Sequence, residues 1–296
     1  MAEAVVPPGR AGRRESALRT WWRVVRVSYW LGWQVESNWT DPLLFFIYSV
    51  ARPLGGVLIV VFMYFVVASG GRGPVLGFFV VGTALWPFVV RGMMGTAWGH
   101  IADREHFKTL RYIYSSPIPY RAYLVGRSLA QATSAVAPAV ITLLFGRYVL
   151  GVGLHAATID LPYTLVALVL GIAGIVALGL VVVSAAFLIS GEAWRMPEGV
   201  GAALYLVCGA IFPVTTLPRL LHPVAEAFPL TWWLEAMRRG LLGPETVKSF
   251  AWADPGPVLL YQALVTLAWI ALASLVFGVA EQRARQLGIL DQESMY

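Results

Sequence analysis

Charged side chains inside apolar stretches are the residues of this sequence most able to do chemistry. Arg52 and Arg91 both stand within long apolar runs. A charge in lipid is costly and needs water or a partner, and such residues often line the path of a transported solute. For Arg52, a position at the mouth of a span is the favoured explanation. Arg91 is close to the middle of its run, with no acidic residue nearby in that run, so we predict it as a candidate residue of a translocation path. Snorkelling or a structural ion pair is the alternative.

Signatures of catalysis are absent from the sequence. Neither lysine, Lys108 or Lys248, follows a glycine, so there is no phosphate-binding loop of the Gly-Lys-Ser/Thr kind. There is also no Gly-x-Ser-x-Gly or His-Glu-x-x-His pattern. His100 and His106 are six residues apart, which does not place them on one helix face. We find no group of polar residues at one depth of the apolar runs, and we predict no catalytic, cofactor-binding or metal-binding residue in this chain.

Composition indicates a membrane protein. Hydrophobic residues make up 58% of the chain and charged residues 13%, whereas a soluble domain has about 45–50% and about 25%. An excess of apolar residues on a soluble fold would aggregate, so lipid is the expected solvent. The net charge of +6 does not indicate nucleic acid, because the basic residues are concentrated on one side of the predicted membrane topology. The predicted class is an all-α integral membrane protein.

The N-terminal part precedes the spans. Residues 1–17 are rich in Pro, Gly and Arg, and we predict a disordered cytoplasmic tail. Residues 18–41 are predicted to form an interfacial amphipathic helix. At 100° per residue its apolar stripe lies beside a stripe of arginines, an arrangement suited to the headgroup layer. The stripe consists of Leu18, Trp22, Val25 and Tyr29, and the neighbouring arginines are Arg19, Arg23 and Arg26.

About six apolar runs follow, most of them close to the ~20 residues needed to cross a bilayer. They predict a six-span domain over residues 42–285, followed by a cytoplasmic tail at 286–296. The start of the first run is ambiguous, because Asp41-Pro42 and Arg52-Pro53 are both plausible helix starts. The runs lie within 42–68, at about 75–99, 128–150 and 161–189, from about 199, and at about 257–280.

The fifth run is too short to cross. Residues 199–212 would make a helix of about 21 Å before Pro213 interrupts it. The segment that follows is half apolar and rich in proline, and it contains charged residues. We predict a re-entrant outer hairpin of short amphipathic helices that completes the crossing, with its irregular backbone buried in protein.

Basic residues give the orientation. Of the 22, 14 fall in the tails and alternate loops on one side, 6 fall on the other side, and Arg52 and Arg91 lie within spans. The richer side faces the cytoplasm. We therefore predict a multi-pass protein of the bacterial cell membrane with both termini in the cytoplasm.

Three segments in this order resemble the permease subunits of type-2 ABC exporters, over about residues 18–285. The first is the amphipathic helix leading into Asp41-Pro42. The second is the loop DREHFKTLRYIYSSPIPYRAYLVGRSLA, which is similar to the family's coupling segment but has Phe107-Lys108 where the family often has Gly, and Arg111 where it often has Glu. The third and most specific is similar to the family's outer hairpin. The coupling positions are Glu105, Thr109, Leu110, Ser116, Pro117, Gly126 and Arg127, and the hairpin positions are Phe212, Pro213, Leu217, Pro218, Pro229, Leu230, Thr231, Trp232, Glu235 and Arg238.

The resemblance implies an exporter driven by other subunits. Two permease chains, forming a homodimer or a heterodimer with a similar permease, would bind two ABC ATPase subunits. ATP and Mg would be held by the ATPase subunits. This chain itself is expected to be no enzyme and to bind no cofactor. The substrate class implied is an amphipathic small molecule, an antibiotic or drug, or a lipid. The alternatives are a polysaccharide or glycolipid export permease, an ATP-independent secondary transporter and a membrane enzyme.

Side-chain spacing in the 104–116 loop suggests how the ATPase is contacted. On a short helix, Phe107, Leu110 and Tyr114 would share one face, with Lys108 and Arg111 beside it. An apolar knob with a basic rim suits a groove on a soluble partner. We predict these three residues, together with Glu105, Thr109 and Pro117, as the ATPase-coupling site. A helix lying on the lipid surface is the alternative.

Overall fold

A computed structural model describes residues 17–37, 55–56, 58–59, 61–62, 74–154, 158–189, 195–243, 247–250 and 254–288. Regular structure in these residues is entirely helical, which confirms the predicted all-α class. Residues 1–16 of the predicted tail, most of the first predicted span with Arg52, and residues 289–296 lie outside the described residues. The helices are α1 (Ala17–Ser37), α2 (Pro74–Val89), α3 (Gly95–Glu105), α4 (Leu110–Ser115), α5 (Tyr120–Ser134), α6 (Val136–Tyr148), α7 (Leu161–Leu188), α8 (Met196–Val207), α9 (His222–Glu226), α10 (Pro229–Leu242) and α11 (Pro255–Leu287).

Four helical stretches of the described residues are long and apolar enough to cross a membrane. They are Val75–Glu105, Tyr120–Tyr148, Leu161–Leu188 and Pro255–Leu287. They correspond to the predicted second, third, fourth and sixth spans. The structure is therefore that of a membrane protein. The first two extend beyond their predicted bounds of 99 and 128, because the helical backbone continues where the side chains turn polar and face the protein interior.

Each of these two extended helices has an apolar half and a polar half. A π-helical segment, Val90–Met94, joins apolar α2 to polar α3. Ala135 separates polar α5 from apolar α6. Pro138 lies in the first turn of α6. Backbone N–H groups of a first turn have no acceptor within the helix, so the missing N–H of proline costs no helical hydrogen bond there. The polar halves α3 and α5 lie side by side.

Helix α7 is the centre of the packing. It contacts α3, α5, α10 and α11, and most of its residues from Gly171 to Phe187 are buried. A Cβ added at Gly171 would collide with the Trp233 indole, and one at Gly174 would come within 3.0 Å of Pro229 Cβ. Small residues here let the helices approach closely.

Helix α1 packs along α5. Val25, Ser28 and Gly32 are buried there, and Gly126 of α5 admits the α1 backbone. Of the predicted apolar stripe, Leu18 and Trp22 are 81% and 64% exposed. The other two members, Val25 and Tyr29, are buried and half-buried, so the stripe divides between the α5 contact and the outer surface. Its position in the headgroup layer stays a prediction.

The short fifth run is a broken helix. Helix α8 has 12 residues, too few to span a bilayer. Past its end the chain turns at Gly209, whose φ is +73°, a conformation that glycine tolerates best. Two 3₁₀ turns, Val214–Thr216 and Arg219–Leu221, and then α9 lead into α10. Every residue of α10 is buried.

Arg238 of α10 donates hydrogen bonds to the turn that follows α8. Its Nη2 donates to the carbonyls of Gly209 and Ala210, both at 2.8 Å, and its Nε donates to Phe78 O at 3.3 Å. The guanidinium carbon lies 3.4 Å from the centre of the Phe78 ring. Gly209 and Ala210 lie in the buried turn that follows α8. Buried carbonyls need hydrogen-bond donors, and the guanidinium supplies them.

A second buried arginine fixes the segment after α10. Arg239 Nη2 lies 2.8 Å from Glu235 Oε1 and also donates to Phe250 O at 2.8 Å. The second carboxylate oxygen of Glu235 accepts from Ser249 N–H at 3.2 Å. Residues 249–250 are therefore held against α10.

We predict that Arg238→Gln destabilises the helical body. The shorter side chain cannot reach three carbonyls, and each buried carbonyl left without a donor costs about 1–3 kcal/mol. The thermal unfolding midpoint in detergent, followed by tryptophan fluorescence, should fall by several degrees. Arg219→Gln, at an exposed arginine of the same segment, should leave it unchanged. Equal midpoints for the two variants would contradict this role of Arg238.

Candidate functional site

The loop between α3 and α5 is a tight, hydrogen-bonded reversal. The N–H groups of His106 and Phe107 both donate to Ala102 O, at 3.0 and 2.9 Å. Lys108 has a φ of +52°, a left-handed conformation that ends the helical path. Thr109 N–H then returns to Asp103 O at 2.9 Å, and α4 begins at Leu110.

The three predicted coupling side chains do not share one face. Leu110 is 1% exposed and lies in the hydrophobic core, whereas Phe107 is 63% exposed. Tyr114 is half-buried. The predicted face was wrong, because no continuous helix joins residue 107 to residue 114: the left-handed Lys108 lies between them. Their role in coupling stays a prediction.

The other predicted coupling residues divide in the same way. Glu105 is buried and pairs with Arg104, whose Nη2 lies 3.0 Å from Glu105 Oε1. Thr109 donates its hydroxyl to Asp103 O at 3.4 Å. Pro117 is exposed. Glu105, Thr109 and Leu110 therefore attach the loop to the rest of the protein. Of the predicted coupling residues, only Phe107 and Pro117 are exposed to solvent.

Tyr114 ties α4 to the end of α11. The guanidinium carbon of Arg285 lies 4.9 Å from the centre of the Tyr114 ring, and Arg285 is itself paired with Glu281 at 2.8 Å. The ring also lies 5.1 Å from that of Tyr120. Burial, and then the Glu281 carboxylate, raise the pKa of the Tyr114 phenol, which therefore stays neutral at physiological pH.

An exposed edge remains on the loop, which we call the α4 edge. Besides Phe107, its apolar members are Tyr112, 68% exposed, and Ile118, 41% exposed. The basic side chains of Lys108 and Arg111 are also exposed beside them. This is the combination of apolar and basic groups that the sequence predicted, formed by partly different residues.

A buried polar cluster lies between α3 and α5. Asp103 accepts from Tyr123 Oη at 2.8 Å and from Arg127 Nη1 at 3.1 Å. His100 Nδ1 lies 2.8 Å from Tyr120 Oη, and its Nε2 has no hydrogen-bond partner in the described part of the chain. All five residues lie between the second and third apolar runs of the sequence, so the cluster does not contradict the expectation that the runs themselves hold no polar group.

The cluster left only a weak signal in the sequence. His100 and Asp103 are three apart, and Tyr120, Tyr123 and Arg127 follow at intervals of three and four, so each set marks one helix face. That the two faces meet depends on the reversal between α3 and α5. Among the described residues, no three His, Cys, Asp or Glu side chains are grouped as metal ligands.

Arg91 has a partner from another helix. It lies in the π-helical segment at the junction of the apolar and polar halves, not within the apolar half. Its Nη1 donates to Ser134 Oγ at 2.9 Å and lies 3.6 Å from Glu36 Oε2 of α1. Gln131 Nε2 donates to Glu36 Oε1 at 2.6 Å. This geometry favours the structural ion pair, and the translocation role stays a prediction.

Several of the predicted hairpin residues make hydrogen bonds within the protein. Thr231 donates its hydroxyl to Ala225 O at 2.6 Å, and Glu235 and Arg238 make the contacts described above. Phe212 and Pro218 are exposed, Pro213 and Leu217 are half-buried, and Pro229, Thr231, Glu235 and Arg238 are buried.

Comparison with known proteins gives no family for this chain, since no family model matches it and no curated protein matches its sequence. Its function is therefore argued from the residues and their geometry.

We predict that Leu110→Asp damages the fold and not only a surface. A carboxylate would be placed in the core without a partner, at a cost of several kcal/mol. Size-exclusion profile and unfolding midpoint in detergent should both deteriorate. Tyr112→Asp, on the same helix but exposed, and Leu110→Met, which conserves volume, should resemble the parent. A well-folded Leu110→Asp protein would show that Leu110 faces outward.

Proposed function

We propose that this chain is the transmembrane permease subunit of an ATP-driven type-2 ABC exporter. The ordered resemblance of three segments supports this function, as do the membrane-spanning helices and the absence of a phosphate-binding loop from the sequence. In this proposal ATP and Mg are held by separate ATPase subunits, and the work of hydrolysis enters through the α4 edge.

The observation that carries the proposal is that the exposed α4 edge belongs to a loop that is firmly bonded to the helices α3 and α5. Phe107 and Tyr112 are among the most exposed aromatic side chains of the described residues, yet the loop behind them is held by Leu110 and the Asp103 cluster. A partner pressing on a flexible loop would only bend it. A partner pressing on this edge moves α3 and α5 through Asp103, and α11 through Tyr114.

The proposed topology has six spans, with both termini in the cytoplasm. The fifth crossing consists of α8 and the hairpin of α9 and α10, which re-enters from the outer face. Burial of all of α10 and the hydrogen bonds from Arg238 to the turn after α8 support this arrangement, because irregular backbone at membrane depth must be enclosed by protein.

The proposed assembly contains two permease chains and two ATPase subunits, the second permease being a copy of this chain or a similar one. The proposed substrate is an amphipathic small molecule, an antibiotic or drug, or a lipid, with polysaccharide or glycolipid export as the alternative. The site of action is the bacterial cell membrane.

One observation favours a second function, ATP-independent secondary transport. The cluster of His100, Asp103 and Arg127 places ionisable side chains within long membrane helices, where they often form proton relays. Such a transporter would move solute in response to a pH gradient and need no ATPase.

We predict that Phe107→Asp combined with Tyr112→Asp separates the permease from its ATPase. Each substitution places a carboxylate into an apolar contact, at a cost of several kcal/mol, and each 1.4 kcal/mol weakens association about tenfold. Copurification of the ATPase should therefore be lost, while the unfolding midpoint of the permease is unchanged. Native mass spectrometry of the parent should show two chains of each kind.

Leu220→Asp is the matched control, because Leu220 is apolar, 89% exposed and located in the hairpin. It should retain the ATPase. The proposal is contradicted if the double variant keeps its partner and its ATP-driven transport, or if the chain alone transports solute into liposomes under a pH gradient.

The proposed topology predicts that cysteines introduced at positions 248 and 283 lie on opposite sides of the membrane and therefore differ in labelling by an impermeant thiol reagent. Both are exposed; Lys248 precedes the last membrane helix and Arg283 lies near its C-terminal end. The one cysteine of the chain, Cys208, is buried. In a Cys208→Ser background, Lys248→Cys should react with a membrane-impermeant maleimide in intact cells, and Arg283→Cys only after lysis. The reverse pattern would invert the topology.

A further inference from the structure

A groove of about 650 Å³ opens between α1, α5, α7 and α11. Its walls are almost wholly apolar and include Val125, Leu129, Val176 and Ile270. Arg121 is the one charged side chain among the residues that line it. The groove faces outward, since Val169 on its wall is 66% exposed, so in a membrane it is open to lipid.

The groove is as long as one leaflet is thick. Its lining on α7 runs from Val169 to Leu180, which at 1.5 Å per residue is about 16 Å. Half of a ~30 Å hydrocarbon core is ~15 Å. Arg121 lies at one end, in the first turn of α5, with Val125 and Leu129 following along the same helix.

Arg121 differs from the arginines around it. Arg127 and Arg285 are paired with Asp103 and Glu281, at 3.1 and 2.8 Å. Arg121 instead lies over the Phe277 ring, with its guanidinium carbon 5.1 Å from the ring centre. Among the residues that the structure describes, no carboxylate is within ion-pair distance of it. A lining cation of this kind attracts a phosphate.

The charged end of the groove also has an interfacial residue. Trp21, in the first turns of α1, lines the groove and is 38% exposed. Because α1 packs along α5 in the same direction, with Val25 against Gly126, Trp21 lies near the Arg121 end. Indoles prefer headgroup depth, which places the phosphate layer at this end and the acyl region along Val125 and Leu129.

We propose that this groove binds an anionic phospholipid, with its phosphate on Arg121 and one acyl chain along the apolar walls. A second copy of the chain is a poorer occupant, because an apolar helix face laid in the groove would bury the Arg121 charge without a partner. The proposal needs only that these helices lie in a membrane, so it stands apart from the exporter function.

The experiment uses the full chain in nanodiscs with equal amounts of phosphatidylglycerol and phosphatidylcholine of identical acyl chains. Native mass spectrometry then counts the lipids that stay bound after release. The parent should retain phosphatidylglycerol in preference, and Arg121→Gln should lower that preference about tenfold, since hydrogen bonds to charged groups are among the strongest polar contacts. Arg121→Lys should keep most of the preference.

Arg147→Gln is the matched control, because Arg147 is a cation at the far end of the same membrane helix. It should behave as the parent. Ala173→Trp, which fills the groove, should lose bound lipid of both kinds, and Val169→Phe serves the same purpose if Ala173→Trp does not fold. Glycerol phosphate, which has no acyl chain, should leave no adduct.

The proposal is overturned if Arg121→Gln retains the parent's preference, if the two lipids are retained equally by the parent, or if glycerol phosphate binds as well as the lipid does. It is also overturned if filling the groove changes the number of protein chains in the particle while leaving bound lipid unchanged, since a second copy would then be the occupant.

Discussion

The buried guanidinium of Arg238 is the contact on which the broken part of this structure depends. The irregular turn that follows the 12-residue helix α8 buries backbone carbonyl groups, which need hydrogen-bond donors. Arg238 donates to two of them and to Phe78 O, and so joins the end of α8 to α2 and α10 at one point. Because Gly82 has no side chain, the Ala210 carbonyl and the guanidinium both fit against α2. The irregular path from Gly209 to α10 is possible because these bonds are made internally.

A similar rule governs the other end of the molecule. Several ionisable groups of α3 and α5 contact one another, with Asp103 between Tyr123 and Arg127. Inside a protein such a network is stiff when its members are satisfied. Leu110 adds an apolar anchor from α4. The result is a firm base beneath an exposed edge, which is the mechanical property required of a surface through which another subunit would drive these helices.

Sequence alone predicted what depends on composition and chain-local spacing. Of the about six spans predicted from apolar runs, four are matched by membrane-length helices of the described residues. The fifth run was expected to break at Pro213, but its helix already ends at Val207, before the turn at Gly209. The packing of α1 on α5 was not predicted, because the close contact there depends on Ser28 and Gly32, which no hydrophobic stripe reveals. Leu110 was assigned to a surface because the left-handed Lys108 has no signature in a helical pattern. Glu36 was not recognised as the partner of Arg91, since the two are 55 positions apart in sequence and meet only through packing of α1 on α5.

The most direct test of the account is to identify what touches the α4 edge in a native membrane. The photoreactive residue p-benzoylphenylalanine would replace Phe107 in a tagged chain, and the products formed on irradiation of intact cells would be identified by mass spectrometry. The account predicts a single major protein adduct whose sequence contains a Gly-x-x-x-x-Gly-Lys-Ser/Thr loop, and no such adduct when the same residue replaces Leu220. Crosslinking of position 107 to lipid alone, or to other proteins without that loop, would contradict it.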